Sequence, residues 1–335
     1  ELASELFVDY PSHGPTIIPS YSIGSDITGL LETIRRAREL NGVAVRGASN
    51  NWVVSGDKSE SGMPLLANDM HLGLAIPGIW YEAHLVSPSM NVSGSILPGM
   101  PFVVIGANEH VAWGVTNVEA DDTDFYIEKI NPANPSQYEY KRRWENMTIK
   151  KETIKVKGAE DVAFSVRLTR HGPIIDDVSK LEASKDTALS MRWTAYEKLQ
   201  ADAFYYLNKA KSIDDIEKAL EFYKCPGQNF VYADKQGNIG FWAAVGIPIR
   251  DGFSGAFPVP GWDGNYEWKG YVPTREQPRL RNPARQWIAT ANNKHVGDDY
   301  PHIISHYYAM PDRFVRIEEM IGEKEKLGVD DFKRM

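Results

Sequence analysis

The 335-residue sequence predicts an α+β fold, and three observations carry that expectation. From Ser49 onward, short runs rich in Val, Ile, Tyr, Phe and Trp alternate with turn residues, as in a large antiparallel sheet system. Two later stretches, 200–210 and 213–223, carry a helical rather than a strand-like periodicity. No glycine-rich phosphate loop follows any strand, which argues against a nucleotide-binding βαβ array.

Each element follows from local chemistry. Pro11, Pro15 and Pro19 punctuate residues 8–24, which read as an extended, loop-like segment. Ser25 and Asp26 are placed to cap a helix over 27–40, with Ile27, Leu30, Leu31 and Ile34 on one face and Asn41-Gly42 as its stop. Trp52-Val53-Val54-Ser55 and Pro64-Leu65-Leu66-Ala67-Asn68 flank the turn Ser59-Glu60-Ser61-Gly62, so 52–68 predicts a hairpin. Further strands are predicted at 80–87, 90–96, 102–107, 111–118, 124–130, 150–157, 162–170 and 187–194. Ser212, ahead of Asp214 and Asp215, begins a helix whose apolar stripe is Ile216, Leu220 and Tyr223. A second hairpin joins 230–234 to 239–243 through Lys235-Gln236-Gly237-Asn238. Trp287-Ile288-Ala289-Thr290-Ala291 is a last strand, and a helix near 311–322 follows. Without an internal repeat or a low-complexity linker, one mixed domain is the economical reading.

Composition narrows the function. With 37 Lys and Arg against 45 Asp and Glu, the net charge of −8 argues against a nucleic-acid partner. A single cysteine, Cys225, excludes a disulfide framework and a multi-cysteine zinc site. No apolar run reaches the roughly 18–20 residues of a membrane span, so no membrane partner is expected. The opening Glu1-Leu2-Ala3-Ser4-Glu5 lacks the basic and apolar regions of a signal peptide, and the chain reads as a soluble piece of a longer protein. His302 and His306 are spaced for one helical face, but no carboxylate follows at ligand spacing. The cluster Asp121-Asp122-Thr123-Asp124 offers hard oxygen ligands for calcium, or is a solvated acidic turn.

The informative stretch is Gly47-Ala48-Ser49-Asn50-Asn51-Trp52-Val53-Val54, followed by Ala67-Asn68-Asp69-Met70-His71-Leu72-Gly73. Pro77-Gly78-Ile79-Trp80-Tyr81-Glu82, Trp113-Gly114-Val115-Thr116-Asn117 and Arg170-His171-Gly172-Pro173 continue the series. Pro258-Val259-Pro260-Gly261, Ala291-Asn292-Asn293 and Asp312-Arg313 complete it. In this order they resemble the penicillin acylase family of N-terminal nucleophile hydrolases. The resemblance covers nearly the whole chain after residue 49 and implies a four-layer αββα sandwich, partial here because family members extend beyond both ends.

The chemistry implied is direct. A serine hydroxyl needs an adjacent base, and a serine that begins a chain carries one in its own α-amine, with a pKa of about 7.7–8.0. The resemblance therefore implies autocatalytic cleavage between Ala48 and Ser49. Residues 1–48 would be the end of a small chain plus spacer, which offers a second reading of the 27–40 helix. Residues 49–335 would be the first part of the catalytic large chain of the same precursor. Ser49 matches the nucleophile and base, and His71 the residue beside the amine. Asn292 matches the side-chain donor of the oxyanion hole, Asn117 its backbone donor, and Arg313 an organising arginine.

Leu72, Ile105, Val115, Trp193 and Gln228 match the acyl-pocket walls; Leu72 and Ile105 are aliphatic where phenylacetyl-preferring members are aromatic, and Gln228 is polar. Asp121, Thr123 through its backbone, Asp124 and Pro258 match calcium positions, although a later aspartate of the family aligns near Ile304. No organic cofactor is implied. The expected activity is hydrolysis of a small-molecule acyl amide of penicillin type through an acyl-enzyme on Ser49, in the periplasm or outside the cell. The rivals are an acyl-homoserine lactone acylase and an uncut, catalytically silent scaffold that binds a ligand.

Overall fold

The computed structural model describes residues 10, 14–17, 48–177, 186–196 and 201–335. The helix predicted over 27–40 lies outside them. In chain order the first strands are β1 (Ala48–Val54), β2 (Leu65–His71), β3 (Tyr81–Ser87), β4 (Met90–Ile96), β5 (Ile105–Asn108) and β6 (Val111–Asn117). Next come β7 (Thr123–Asn131), β8 (Asn134–Tyr140), β9 (Arg143–Asn146), β10 (Thr148–Ile154), β11 (Val162–Leu168) and β12 (Thr187–Trp193). Two helices follow, α1 (Ala201–Asn208) and α2 (Ile213–Leu220). The remaining strands are β13 (Gln228–Asp234), β14 (Ile239–Ala244), β15 (Pro248–Asp251), β16 (Val259–Pro260), β17 (Glu267–Tyr271), β18 (Arg279–Arg281) and β19 (Trp287–Thr290). Helices α3 (Asp312–Gly322) and α4 (Val329–Arg334) close the chain.

Two sheets make the centre. The smaller runs β19-β1-β2 and the larger β18-β14-β13-β6-β5-β4-β3, and β1 and β2 lie over β6 and β13. The period of two along each strand decides what lies between and outside them. Val53 and Ile288 meet Val231, Ile239, Phe241 and Ala243 between the sheets. The intervening Trp52, Val54, Trp287 and Ala289 face outward onto Phe314, Ile317 and Ile321 of α3. On the far side, Phe230, Tyr232 and Trp242 pack against Phe204 and Leu207 of α1 and Ile213 and Ile216 of α2. Helix, sheet, sheet and helix follow in that order, which is the αββα sandwich. Helix α2 starts where its sequence says it should, since Ser212 Oγ accepts the Asp215 N–H at 3.3 Å.

Both predicted hairpins form. Val54 pairs with Leu65 and Ala48 with His71 across β1 and β2, and Ala233 pairs with Ile239 across β13 and β14. Gly114 on β6 lies under Asn68 of β2, where an added Cβ would stand 2.4 Å from Asn68 Oδ1. The Asn68 side chain can rest on the β6 backbone there because Gly114 has no side chain of its own.

Three differences from the sequence expectation have physical causes. Strands β8 and β9 carry Asn134, Pro135, Ser136 and Asn146, residues of low strand propensity. They are paired as a local hairpin, closed by the two-residue turn Lys141-Arg142 with both residues at positive φ, and by polar cross-strand bonds such as Gln137 Nε2 to Asn146 Oδ1 at 2.8 Å. The sheets are not wholly antiparallel, because the short β16 runs parallel to β7. Residues 301–310 are not helical, so His302 and His306 share no helix face; His302 lies 3.5 Å from Glu276 Oε2, while His306 turns toward Ser254 and Asp121. Among the described residues no helix is long and apolar enough to cross a membrane.

Candidate active site

Ser49 lies near the start of β1, 8% exposed, with its side chain on the face turned toward the larger sheet. Directly after β19, Asn292 turns back toward it with φ of +61°, a left-handed conformation that asparagine tolerates better than most residues. The two are joined twice. Ser49 N donates to Asn292 Oδ1 at 2.8 Å, and Asn292 Nδ2 reaches Ser49 Oγ at 3.4 Å. The second Asn292 N–H goes to the Asn117 carbonyl at 2.9 Å.

Arg313, in the first turn of α3, spans the outer side of this pair. Nη1 donates to the Ser49 carbonyl at 2.9 Å and to Asn50 Oδ1 at 2.6 Å. Nη2 donates to the Ala291 carbonyl at 2.7 Å and to Asn292 Oδ1 at 3.2 Å. Its planar fork thus ties β1 to the turn after β19. Burial pushes the guanidinium below its usual pKa, with Asp312 and Glu119 opposing.

Ser49, Asn117, Asn292 and Arg313 are therefore brought together. His71 is not part of that group. It stands across the strand pair from Ala48, so its side chain leaves the sheet on the face opposite to Ser49 Oγ, and its Nε2 bonds Asp69 Oδ2 at 2.6 Å. Only its backbone flanks the Ala48–Ser49 bond.

A cavity of about 270 Å³ opens beside Ser49 and Asn117. Of the predicted wall residues Leu72, Val115 and Gln228 line it, joined by Met70, Met100 and Phe204. Ile105 and Trp193 do not line it. Ile105 is buried in the core under α1 and α2, where its neighbour Val104 reaches the cavity instead, and Trp193 is 38% exposed with its ring edge-on to Tyr196. Cys225 also borders the cavity, and burial raises its thiol pKa.

The acidic cluster is neither solvated nor open to a cation. Asp121 and Asp124 are 3% and 1% exposed, and the guanidinium of Arg250 is inserted between them. Arg250 Nε donates to Asp124 Oδ2 at 2.8 Å and Nη2 to the Asp121 carbonyl at 2.7 Å. Trp268 Nε1 also donates to Asp124 Oδ2. Burial lowers the Arg250 pKa, but Asp121 and Asp124 outweigh it and hold the group above its usual value. Thr123 Oγ1 donates to Asp122 Oδ1 at 3.1 Å, and the Ile304 carbonyl accepts from Asp121 N at 2.7 Å where a further carboxylate would be needed. Asp124 Oδ1 is buried without a hydrogen bond, yet the described residues gather no set of three acidic, histidine or cysteine side chains able to hold a metal. The residues at Asp121, Thr123, Asp124 and Pro258 thus do not complete a calcium site, because the compensating charge is already built in.

A second buried ion cluster joins Glu128 of β7 and Glu267 of β17 to His171 of the Arg170-His171-Gly172-Pro173 motif. His171 Nδ1 is 2.9 Å from Glu128 Oε1 and Nε2 is 3.3 Å from Glu267 Oε1, with the ring stacked on Tyr126 at 3.9 Å. Burial alone would lower the His171 pKa; the two glutamates outweigh it and raise it.

Residues 2–335 match the sequence profile of the family described as Penicillin amidase. The chain is 31% identical over 304 residues to an acyl-homoserine lactone acylase QuiP of Pseudomonas fluorescens, covering 90% of this chain and 37% of that protein. It is 32% identical over 289 residues to a penicillin acylase 2 proenzyme of a Pseudomonas strain, covering 86% and 37%. Among solved structures, a thermostable penicillin G acylase of Alcaligenes faecalis matches with a TM-score of 0.73 at 26% identity, over 84% of this chain and 50% of that one. The chain thus spans well under half the length of these curated relatives.

Replacing Arg250 by Gln removes the one cation between two buried carboxylates, and should cost about 3–5 kcal/mol of unfolding free energy in a denaturant titration. Millimolar calcium should leave the melting temperature of the unsubstituted protein unchanged. A loss under about 1 kcal/mol, or a melting point that rises with calcium, would show that the carboxylates find other compensation.

Proposed function

Because the chain belongs to the penicillin amidase family, we propose that it is the nucleophile-bearing part of an amidohydrolase that releases an acyl chain from an amine. The single observation that carries this reading is the double link between Ser49 and Asn292 at the mouth of an apolar cavity.

In the continuous chain Ser49 N is a peptide nitrogen, and it occupies the position an α-amine would take. Asn292 Oδ1 would orient that amine, leaving its lone pair for the proton of Ser49 Oγ. Attack of Oγ on the Ala48 carbonyl would shift the acyl group from nitrogen to oxygen, and water would release residues 1–48 from 49–335. Ala48 is the first residue of β1, so the cut would fall at the end of the strand and spare its pairing from Asn50 to Val54. In turnover, Oγ would attack the substrate carbonyl while the amine takes the proton. The oxyanion would draw on the Asn292 amide and the Asn117 backbone N–H, each donor of this kind being worth about 3–4 kcal/mol. The ammonium would then protonate the departing amine, and water would hydrolyse the ester.

The cavity would admit either an aliphatic or an aromatic acyl chain. Met70, Leu72, Met100 and Val104 supply aliphatic and thioether walls, and Trp80, Phe204 and Tyr223 supply aromatic faces that a phenyl ring could meet. This makes an acyl-homoserine lactone, the substrate in the name of one relative, a second reading beside the penicillin-type amide. Hydrolysis of a panel of aliphatic and phenylacetyl amides separates the two.

Ser49→Ala should give one uncut chain by mass spectrometry, since the attacking oxygen is gone; a variant that still splits after Ala48 would point to a separate protease. Asn292→Gly, which keeps the left-handed backbone at no cost, should lower kcat by about 100–1,000-fold. A change confined to KM would instead place Asn292 in ground-state binding. Gln228→Ile should raise kcat/KM for phenylacetyl amides more than for acyl chains bearing a polar atom. The basis is that a buried carboxamide without a partner costs about 1–3 kcal/mol. Equal responses of both substrate classes would mean that Gln228 does not face the acyl chain.

A further inference from the structure

Beneath Ser49 and Asn292 runs a buried polar chain that the proposed chemistry does not touch. Asn51, Thr116, Asn229, Thr290 and His295 are all at most 1% exposed. The direction of every bond in it can be worked out. Thr290 Oγ1 donates to Asn51 Oδ1 at 2.6 Å, so Thr116 Oγ1, 2.6 Å from Thr290 Oγ1, must be the donor of that second pair. Thr116 Oγ1 is then free to accept from Asn229 Nδ2 at 3.1 Å, and the same nitrogen donates to the Asn117 carbonyl at 3.2 Å. Asn229 Oδ1 therefore faces His295, whose Nε2 lies 2.7 Å away and must carry the proton. The opposite ring nitrogen, Nδ1, is buried without a hydrogen bond. An imidazolium would strand its second N–H there, and burial pushes the His295 pKa down to about 3. Phe241 lies nearly parallel to the ring and Tyr308 meets it edge-on at 5.4 Å.

We propose that His295 is a positioning residue for the Ser49 site, its Nε2–H fixing the Asn229 amide that braces the Asn117 carbonyl against which Asn292 is set. This rests on the reading of Ser49 and Asn292 as the reacting pair. The Asn117 carbonyl receives two amide donors, Asn229 and Asn292, and its position decides where the remaining N–H of Asn292 points. If His295 Nε2 presented a lone pair, the Asn229 amide would gain by rotating to offer it an N–H. Its oxygen would then confront the Asn117 carbonyl and the Thr116 hydroxyl oxygen, and the brace would become a repulsion. With no polar group at His295, Asn229 Oδ1 would be left unpaired and its orientation unheld.

The test compares full-length variants in amide hydrolysis. His295→Leu removes the donor, and kcat should fall by about 5–150-fold, the equivalent of one unsatisfied buried amide, with KM changed less than about twofold. His295→Gln, which carries an N–H at similar reach, should recover most of that loss. A folded His295→Leu enzyme with unchanged kcat overturns the proposal and leaves the reading of Ser49 intact. A loss that Gln fails to restore overturns it as well, since ring packing alone would then be what matters. If the Leu variant does not fold, His295→Gln is set against His295→Asn, whose amide is too short to reach; equal rates overturn the proposal. Nitrogen-15 spectra of the histidine rings test the same point without any activity. The proposal requires a neutral Nε2–H tautomer for His295 from pH 5 to 9, and an Nδ1–H tautomer or a titration in that range would sink it, even in a protein that hydrolyses nothing.

Discussion

Burying a polar knot between apolar layers is the constraint on which the rest of this structure depends. Ser49, Asn51, Asn229 and Asn292 sit where two sheets would otherwise close on hydrocarbon, and the three asparagines are almost wholly removed from bulk solvent. Each amide must then find a protein partner, and an amide with two donors and one acceptor can meet all its needs in few orientations. The asparagines come from different strands and from the turn after β19, so satisfying them fixes those elements against one another. The cost of one wrong orientation is what turns a set of loop and strand ends into a defined geometry around Ser49.

Charge in the interior obeys the same rule. Arg250 with Asp121 and Asp124, and His171 with Glu128 and Glu267, are clusters of opposite charge kept away from solvent. Pairs of this kind add little net stability, but neither partner can be withdrawn cheaply. They act as fasteners: Arg250 on β15 joins the start of β7, and Glu267 on β17 joins the loop that carries His171. The groups around Ser49 lie apart from both clusters, in a network of amides, hydroxyls and the Arg313 guanidinium.

Much of this was legible in the sequence, and the exceptions are instructive. Strands such as Met90–Ile96, which alternates, and Gln228–Asp234, an apolar run buried on both faces, and the capped helix after Ser212 announce themselves because local preference and burial agree. Strands β8 and β9 do not, since their residues have low strand propensity and the turn that joins them, Lys141-Arg142, adopts positive φ without the Gly or Asn that would mark it. Ser49, Asn117, Asn292 and Arg313 were readable through the order of their motifs. What motif order could not supply was parity. Whether Val104 or Ile105 reaches the cavity, and whether the His71 side chain shares a face with Ser49, turn on a single residue of register. Asn229 and His295 carried no signal at all, because a buried amide and a buried ring look, in one dimension, like any other polar residue.

That sensitivity to parity gives the bare Gly114 a larger part than packing filler. Sliding β2 by one position against β1 would bring His71 and Asp69 to the face now held by Met70 and Asn68, and an apolar cavity wall would acquire an imidazole and a carboxylate. The shallow notch where Asn68 rests over Gly114 admits that side chain at only one place along β6. It works as an index mark between two sheets: the chemical character of the cavity beside Ser49 is set by an alignment, and the alignment is kept by a residue with no side chain, lying under the strand pair that the Ala48–Ser49 bond begins.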